Sequence, residues 1–331
     1  MISLLKKLTE TASPSGYESG IREVIRAEIK SLSTNIKVDA LGSLIVTMGK
    51  KTDKGLRIMV AAHMDEIGVI VSHVEKSGLV RFSNLGTLFP QYLPGSRVVF
   101  LNGVHGVINH DLPDDLHKVV TQDKQFIDVG ASSDKDCPVK IGDVGVFDRS
   151  FVELGKRVTA KSLDDRVSCA VMIESMKKIK NSPHELVFVF STQEEVQSKG
   201  ATTAAYEIEP DLAIALDVTP SLDIYGIKMQ VDLGKGPAIK VRDVGMLSDP
   251  RLVRWMEETA NKNKIPYQLE VLDLGTTDAK VMQISKAGMP TGALSIPCRY
   301  VHSPSEVVDL DDVQGTVDLL SALLNNPIVL K

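Results

Sequence analysis

The sequence predicts an α/β domain that is interrupted by a small all-β insert. Continuous apolar runs of strand length alternate with helical patterns towards both ends of the chain, whereas the stretch between them holds only short strand-like runs separated by turn signals. We therefore assign residues 1–67 and 156–331 to the α/β domain and residues 68–155 to the insert. The chain has 331 residues, which is long enough for one large domain or two ordinary ones.

The first predicted elements of the α/β domain are a helix and two strands. Apolar residues recur at helical spacing over 21–32, after a turn-like segment at 13–16. The apolar runs at 44–47 and 56–62 have the length of strands, and the second run leads directly into His63.

The predicted insert contains no pattern with a long helical period. Its apolar runs are short and lie between turn signals, which favours a small all-β unit. The runs lie at 69–74, 79–82, 97–100, 104–108, 126–129 and 144–147.

Helix and strand patterns alternate again after the insert. Residues 164–179 predict a helix with two Asp residues near its N-terminus, and the continuous apolar runs at 186–190 and 212–216 are typical of strands buried on both faces. Three more helices are predicted: one over 249–263 with Pro250 in its first turn, one capped by Thr277 or Asp278, and one over 310–324.

Composition excludes several classes of protein. The 38 Lys+Arg and 43 Asp+Glu residues give a net charge of −5 without any basic block, so nucleic acid is not expected as the main partner. No segment approaches the about 18 consecutive apolar residues of a membrane span, and the N-terminus lacks a secretory signal pattern, so we expect a cytoplasmic protein. The three cysteines, Cys137, Cys169 and Cys298, form neither a disulfide framework nor a paired-cysteine metal site.

Side chains that can bind metal follow several of the predicted strands. His63, the pair Glu194-Glu195 and Asp217 each follow an apolar run, His302 lies in the loop after a further run, and the pair Asp164-Asp165 begins a predicted helix. Ligands bind outside the carboxyl ends of the strands in α/β sheets, so we expect these side chains to meet. Two imidazoles and three carboxylates suit zinc, cobalt or manganese, and this excess of carboxylates suggests two metals that share one Asp. Each residue alone also has an ordinary structural explanation, and only the combination favours a metal site.

The order of these motifs closely resembles the tetrahedral (TET) or glutamyl aminopeptidase family of dinuclear metallo-aminopeptidases. The resemblance spans nearly the whole chain. The motifs are Ala-His-Met-Asp-Glu-Ile-Gly at 62–68, Ser-Leu-Asp-Asp-Arg-Val at 162–167, Gln-Glu-Glu-Val at 193–196, Asp-Val at 217–218 and Arg-Tyr-Val-His-Ser-Pro at 299–304.

The resemblance implies a zinc-peptidase-like catalytic domain with a mixed sheet, and a PDZ-like insert that makes dimers. It also implies two divalent metal ions per subunit, short peptides as substrates, and a homo-oligomer in which six dimers can close into a tetrahedral dodecamer. The implied roles are Asp164 as the bridging ligand, His63 and Asp217 as ligands of one metal, Glu195 and His302 as ligands of the other, Glu194 as the general base, and Asp65 as the carboxylate that orients His63.

The chain departs from the family pattern at two places. Gln197 and Lys199 stand where the family usually has Gly and often Arg, and Thr276 stands where a second Gly of a Gly-Gly-Thr-Asp stretch is usual. Neither departure replaces an implied metal ligand. Both affect segments that shape the substrate pocket or a local turn.

Four alternatives stay open on the sequence alone. The same metal site suits a deacylase or carboxypeptidase-like hydrolase of N-blocked substrates, and a protein that had lost turnover would be a peptide-binding assembly protein. Cys298 and His302 would make a nucleophile pair, although this leaves the carboxylates unexplained. The polar segment at 109–118 is either a second metal site or, as we expect, a solvated loop.

Overall fold

The computed structural model describes residues 1–113, 115, 117–225 and 231–328. The helices are α1 (Ile2–Thr9), α2 (Ser19–Ile29), α3 (Leu163–Lys178), α4 (Lys199–Ile208), α5 (Pro250–Asn263), α6 (Ala279–Gln283) and α7 (Leu310–Leu324). Among the described residues, no helix is both long and apolar enough to cross a membrane.

The strands include all the runs that the sequence predicted. They are β1 (Asn35–Val38), β2 (Leu44–Met48), β3 (Arg57–His63), β4 (Gly68–Val74), β5 (Val80–Leu85), β6 (Arg97–Phe100), β7 (His105–His110), β8 (Gln125–Asp128), β9 (Val144–Phe147), β10 (Val152–Leu154), β11 (Arg157–Ala160), β12 (Glu185–Ser191), β13 (Leu212–Pro220), β14 (Ala238–Arg242), β15 (Gln268–Val271), β16 (Thr291–Arg299) and β17 (Glu306–Asp309).

Within the described chain, eleven strands form one mixed sheet. The main order is β1-β2-β12-β3-β13-β16-β17-β11-β10, and β14 joins β15 to β16. The four central strands β12, β3, β13 and β16 are parallel to one another, and their register sets Ser191 beside His63 and Asp217 beside Ser295. The carboxyl-terminal parts of these strands therefore lie at one edge of the sheet, where the predicted ligands were expected.

Alternate residues of the central strands face two different helical layers, as the period of two in a strand requires. Ile58 and Val60 belong to the large core formed with α1, α2, α3, α5 and α7. Met59 and Ala61 belong to a smaller core on the opposite face, with α4 and α6. Because both faces are covered, β3, β12 and β13 contain continuous apolar runs, which explains why such runs predicted these strands correctly.

The middle of the chain folds as a separate antiparallel barrel. Its strands close in the order β4-β5-β8-β7-β6-β9 around an apolar core of its own. The predicted α/β fold with a small all-β insert is thus confirmed. Strand β10 lies within the residues predicted for the insert, and it pairs with β11 at the edge of the large sheet.

Three helices differ from the sequence prediction, and one of them, α4, was not predicted at all. Helix α1 was not predicted either; it has only eight residues and no side-chain cap, and it is held by burial of Leu4, Leu5 and Leu8. Helix α3 is regular only after Asp165, because Asp164 has ψ 104° and Asp165 has φ −121°. The two Asp residues are therefore not ordinary first-turn acids of a helix, and their carboxylates lie among the groups described next.

Candidate metal centre

The sheet brings the predicted ligands together from separate elements. His63 is the last residue of β3, Asp217 lies within β13, and Glu195 follows the end of β12. His302 lies in the loop between β16 and β17, and Asp164 lies in the irregular first turn of α3.

The carboxylate of Asp164 lies between two imidazole rings. Its Oδ1 is 3.0 Å from Nε2 of His63, and its Oδ2 is 3.2 Å from Nε2 of His302. A second carboxylate lies near each ring: Asp217 Oδ1 is 3.9 Å from His63 Nε2, and Glu195 Oε1 is 3.3 Å from His302 Nε2. The five residues thus form two adjacent groups that share Asp164.

The donor atoms fit divalent cations. Nδ1 of His63 lies 3.2 Å from the carbonyl oxygen of Asp65 and 3.5 Å from its Oδ1, which would keep the proton on Nδ1 when Nε2 binds a cation. Oε1 of Glu195 is buried and accepts no hydrogen bond from the described residues. Ligand atoms of His63, Asp164 and Glu195 lie within 4.8 Å of one another, as do those of His63, Asp165 and Asp217. Nitrogen and carboxylate oxygen ligands at this spacing suit zinc-like metals.

The electrostatics of the site favour bound cations as well. Burial raises the pKa of Asp217 well above its usual range, raises that of Glu195, and raises the pKa of Glu194 to about 8. For Asp164, burial alone would raise the pKa, but the hydrogen bonds and charges of the adjacent His302 and His63 rings together lower it. Several carboxylates are therefore forced together out of water, and positive charge at their centre would relieve the repulsion between them.

Asp65 supports several of the residues around Asp164, His63 among them. Burial alone would raise its pKa, yet contacts with His63 and Ser15 lower it, so it is a carboxylate. Its Oδ2 accepts a hydrogen bond of 2.7 Å from the Ser15 hydroxyl, and its oxygens accept the backbone N–H groups of Glu194 and Glu195 at 3.0 and 3.3 Å.

Sequence reasoning missed Glu306. This residue is buried at the start of β17, and its carboxylate accepts the backbone N–H groups of Asp164 and His302, each at 2.9 Å. The only sign of this role in the sequence was that Glu306 lies four residues after His302. The hydrogen bond to Asp164 joins residues far apart in the sequence, so no local pattern could predict it.

A buried ion-pair network was also missed, although Glu66 and Arg166 lie inside two of the family motifs and Lys161 immediately precedes one of them. Glu66 pairs with Lys161 at 2.6 Å and with Arg166 at 3.4 Å, and all three side chains are almost fully buried. The network joins the segment after His63 to the segment that carries Asp164.

The barrel reaches the site through the segment that follows β5. A Cβ atom on Gly86, whose φ is +81°, would lie only 2.7 Å from Oε2 of Glu195, so this close approach requires glycine. The ring of Phe89 lies 6.3 Å from the ring of His302. The insert therefore forms part of the surroundings of the predicted ligands.

The structure gives no support to a cysteine nucleophile. Cys298 is fully buried within β16, and burial raises the pKa of its thiol well above the usual value. A catalytic cysteine needs an accessible thiolate.

The polar segment at 109–118 starts with the last two residues of β7 and continues as a surface loop where it is described. Asp111 pairs with Arg81, and His117 is exposed, whereas Asp114 lies outside the described residues. Among the described residues, no group of potential metal ligands lies in this segment.

Comparison with known proteins assigns the family. The sequence profile described as M42 glutamyl aminopeptidase matches residues 42–319. The chain belongs to this family. A putative aminopeptidase of Acetivibrio thermocellus is 44% identical over 97% of both chains, and a lysyl aminopeptidase of Pyrococcus furiosus is 37% identical over 97% of this chain and 96% of its own.

A solved structure agrees with this assignment. The Pyrococcus horikoshii TET1 peptidase, which is described as able to assemble into a tetrahedron or a large octahedral shell, superposes with a TM-score of 0.88 at 36% identity over 98% of each chain. The predicted resemblance is confirmed, and the protein is an aminopeptidase of the M42 family. The expectation of an enzyme, rather than of a binding protein without turnover, is confirmed with it.

Proposed function

We propose that this aminopeptidase uses two divalent metal ions per subunit to remove N-terminal residues from short peptides. The observation that supports this proposal best is the position of Asp164, with one carboxylate oxygen beside His63 and the other beside His302. A carboxylate with a different imidazole at each oxygen is suited to bridge two cations.

Each remaining ligand would bind the cation on its own side of Asp164. His63 and Asp217 would complete one site, and Glu195 and His302 the other. Zinc and cobalt suit these nitrogen and oxygen donors, and manganese fits them as well. Asp65 would hold His63 through Nδ1, as carboxylates commonly do for histidine ligands.

Glu194 is the residue that we assign to proton transfer. A bound metal pair would polarise the scissile carbonyl and make a nearby water more acidic. The Glu194 carboxylate would then take a proton from the attacking water and pass it to the leaving amine. Its raised pKa fits this task, because an efficient base has a pKa close to the working pH.

Selection of the N-terminus follows from the charge of the site. The free α-ammonium group of a peptide can pair with the surplus carboxylates or, once deprotonated, bind a cation, whereas an N-blocked peptide can do neither. The family description and the Pyrococcus furiosus relative are named for different residues, Glu and Lys, so a substrate panel must include both.

We also propose a homo-oligomer built from dimers. We assign dimer formation to the barrel, within residues 68–155, and catalysis to residues 1–67 and 156–331. The assembly stated for the TET1 peptidase supports a tetrahedral dodecamer, whose interior would admit peptides and exclude folded proteins. We expect the enzyme to work in the cytoplasm.

A panel of aminoacyl-nitroanilides with acidic, basic and aliphatic residues tests the proposal, with metal content measured on the same samples. Wild type is compared with Glu194→Gln and with Glu207→Gln, an exposed control. We expect activity that depends on added cobalt or zinc, disappears in Glu194→Gln at unchanged metal content, and persists in Glu207→Gln. Hydrolysis of N-blocked peptides but not of free ones would instead support the deacylase alternative.

A further inference from the structure

Ser198 makes an unusual contact for a residue that immediately precedes a helix. Serine in this position commonly accepts a hydrogen bond from a backbone N–H of the first turn. In this protein the hydroxyl of Ser198 does not cap α4. It instead donates a hydrogen bond of 3.0 Å to Oε1 of Glu194.

The structure describes residues 1–113, 115, 117–225 and 231–328. Among these residues, the hydroxyl of Ser198 is the one group that donates a hydrogen bond to the Glu194 carboxylate. The other oxygen, Oε2, is thus left to accept a proton. A glutamate side chain has several rotatable bonds, and ordering it costs up to about 2 kcal/mol of conformational entropy. A fixed partner on Oε1 reduces the number of orientations that the carboxylate can adopt.

Ser198 is itself held firmly. It is fully buried, its backbone lies in the left-handed region with φ 52°, and its N–H donates to the carbonyl oxygen of Glu194 at 2.9 Å. The nearby carboxylate of Asp278 accepts a hydrogen bond of 2.5 Å from the Ser191 hydroxyl and also contacts the hydroxyl of Ser198. The tight turn from Glu194 to Ser198 therefore places the Ser198 hydroxyl beside the Glu194 side chain.

We propose that Ser198 is a positioning residue that fixes the carboxylate of Glu194 for proton transfer. This inference rests on the proposed role of Glu194 as the general base. It also gives a function to the segment Gln197-Ser198-Lys199, where the chain departs from the family pattern. The hydroxyl touches the base and not the metal ligands, so its removal should lower kcat without changing metal binding.

Ser198→Ala tests the inference, and Ser198→Gly is a second variant that also suits a left-handed backbone. The matched control is Ser321→Ala, which removes another buried hydroxyl, one that donates to the carbonyl oxygen of Val317 within α7. We measure kcat and KM on the best nitroanilide, together with the cobalt content of each variant. We expect kcat of both Ser198 variants to fall by about 10-fold, as the loss of one hydrogen bond to a charged group would give.

We expect KM and cobalt content to stay at the wild-type level, and Ser321→Ala to match wild type throughout. An unchanged kcat in the Ser198 variants would overturn the inference. So would a fall in kcat accompanied by loss of cobalt, because the residue would then act on the metal site as a whole. If wild type itself hydrolysed no substrate, the proposed function would fail before this comparison is reached.

Discussion

The carboxylate of Asp65 accepts the backbone N–H of Glu194 at a distance of 3.0 Å. The same side chain lies 3.5 Å from Nδ1 of His63 and accepts the N–H of Glu195. One buried carboxylate thereby fixes a proposed ligand on β3 and the loop after β12 that carries the proposed base. These two neighbouring strands hold their functional side chains in one arrangement because Asp65 connects them.

Asp65→Asn should weaken metal binding although it removes no ligand. The two oxygens of Asp65 accept the N–H groups of Glu194 and Glu195, whereas an asparagine side chain has only one acceptor oxygen. Its NH₂ group would therefore face one of these N–H donors. We expect cobalt affinity to fall by about 10- to 100-fold, as is usual when the support of a histidine ligand is lost. Competition with a chromogenic chelator measures the affinity, and an unchanged value would show that Asp65 is not such a support.

Glu306→Gln should have a similar effect through the backbone of two proposed ligands. Asp164 and His302 both donate their N–H groups to Glu306, and a glutamine oxygen can accept from only one of them. We expect a lower melting temperature and a cobalt affinity lower by about 10-fold or more.

Asp312→Asn is the matched control for this substitution. Asp312 is also buried and accepts two backbone N–H groups, those of Gly234 and Gly236, both at 2.7 Å. This variant should lose stability and keep the cobalt affinity of wild type. Equal losses of affinity in the two variants would mean that Glu306 acts only on general stability.

Glu194 should give the enzyme a characteristic dependence on pH. Its pKa is raised to about 8 by burial and by neighbouring carboxylates, and bound cations would lower it. Only the carboxylate is a base, so kcat/KM of the metal-loaded enzyme should fall as pH decreases, with a midpoint below 8. Glu194→Gln should lower kcat by about 10²- to 10⁴-fold. A rate that stays constant down to pH 5 would contradict this role.

The same group should affect the stability of chelated protein with a defined sign. The pKa of Glu194 is about 8 in the folded protein and has the ordinary value of 4.5 in the unfolded chain. Between these two pH values the folded protein therefore keeps the Glu194 proton, whereas the unfolded chain releases it. The stabilisation of the folded protein by the protonated Glu194 side chain is fully present below pH 4.5 and is lost as pH rises towards 8. Thermal unfolding in chelator should therefore show Glu194→Gln to be more stable than wild type at pH 8, with a difference that shrinks towards pH 5.

Glu66→Gln should destabilise the fold strongly. It would leave the cations of Lys161 and Arg166 buried without their anion, which typically costs about 3–5 kcal/mol. Glu174→Gln breaks a partly exposed surface pair with Lys177 and should cost less than about 1 kcal/mol. Urea unfolding of both variants makes the comparison, and equal small losses would mean that Glu66 contributes no more than a surface pair.

The sequence was informative where an element carries its own pattern. The buried strands β3 and β12 have unbroken apolar runs, and the polar residues that follow them mark the edge where the proposed ligands meet. Glu306 and Ser198 were not recognised, because nothing in their local sequence distinguishes them from a surface acid and a helix cap. Their roles depend on which backbone N–H or side chain lies opposite, and tertiary packing decides that.

The central claim is that two cations share Asp164 and together support peptide hydrolysis. Cobalt titration of chelated enzyme, with aminopeptidase activity recorded at each addition, tests it most directly. We predict that full activity requires two cobalt ions per subunit and that Asp164→Asn, at the same concentrations, binds neither tightly and stays inactive. Full activity with a single cobalt ion, or undiminished activity in Asp164→Asn, would contradict the account.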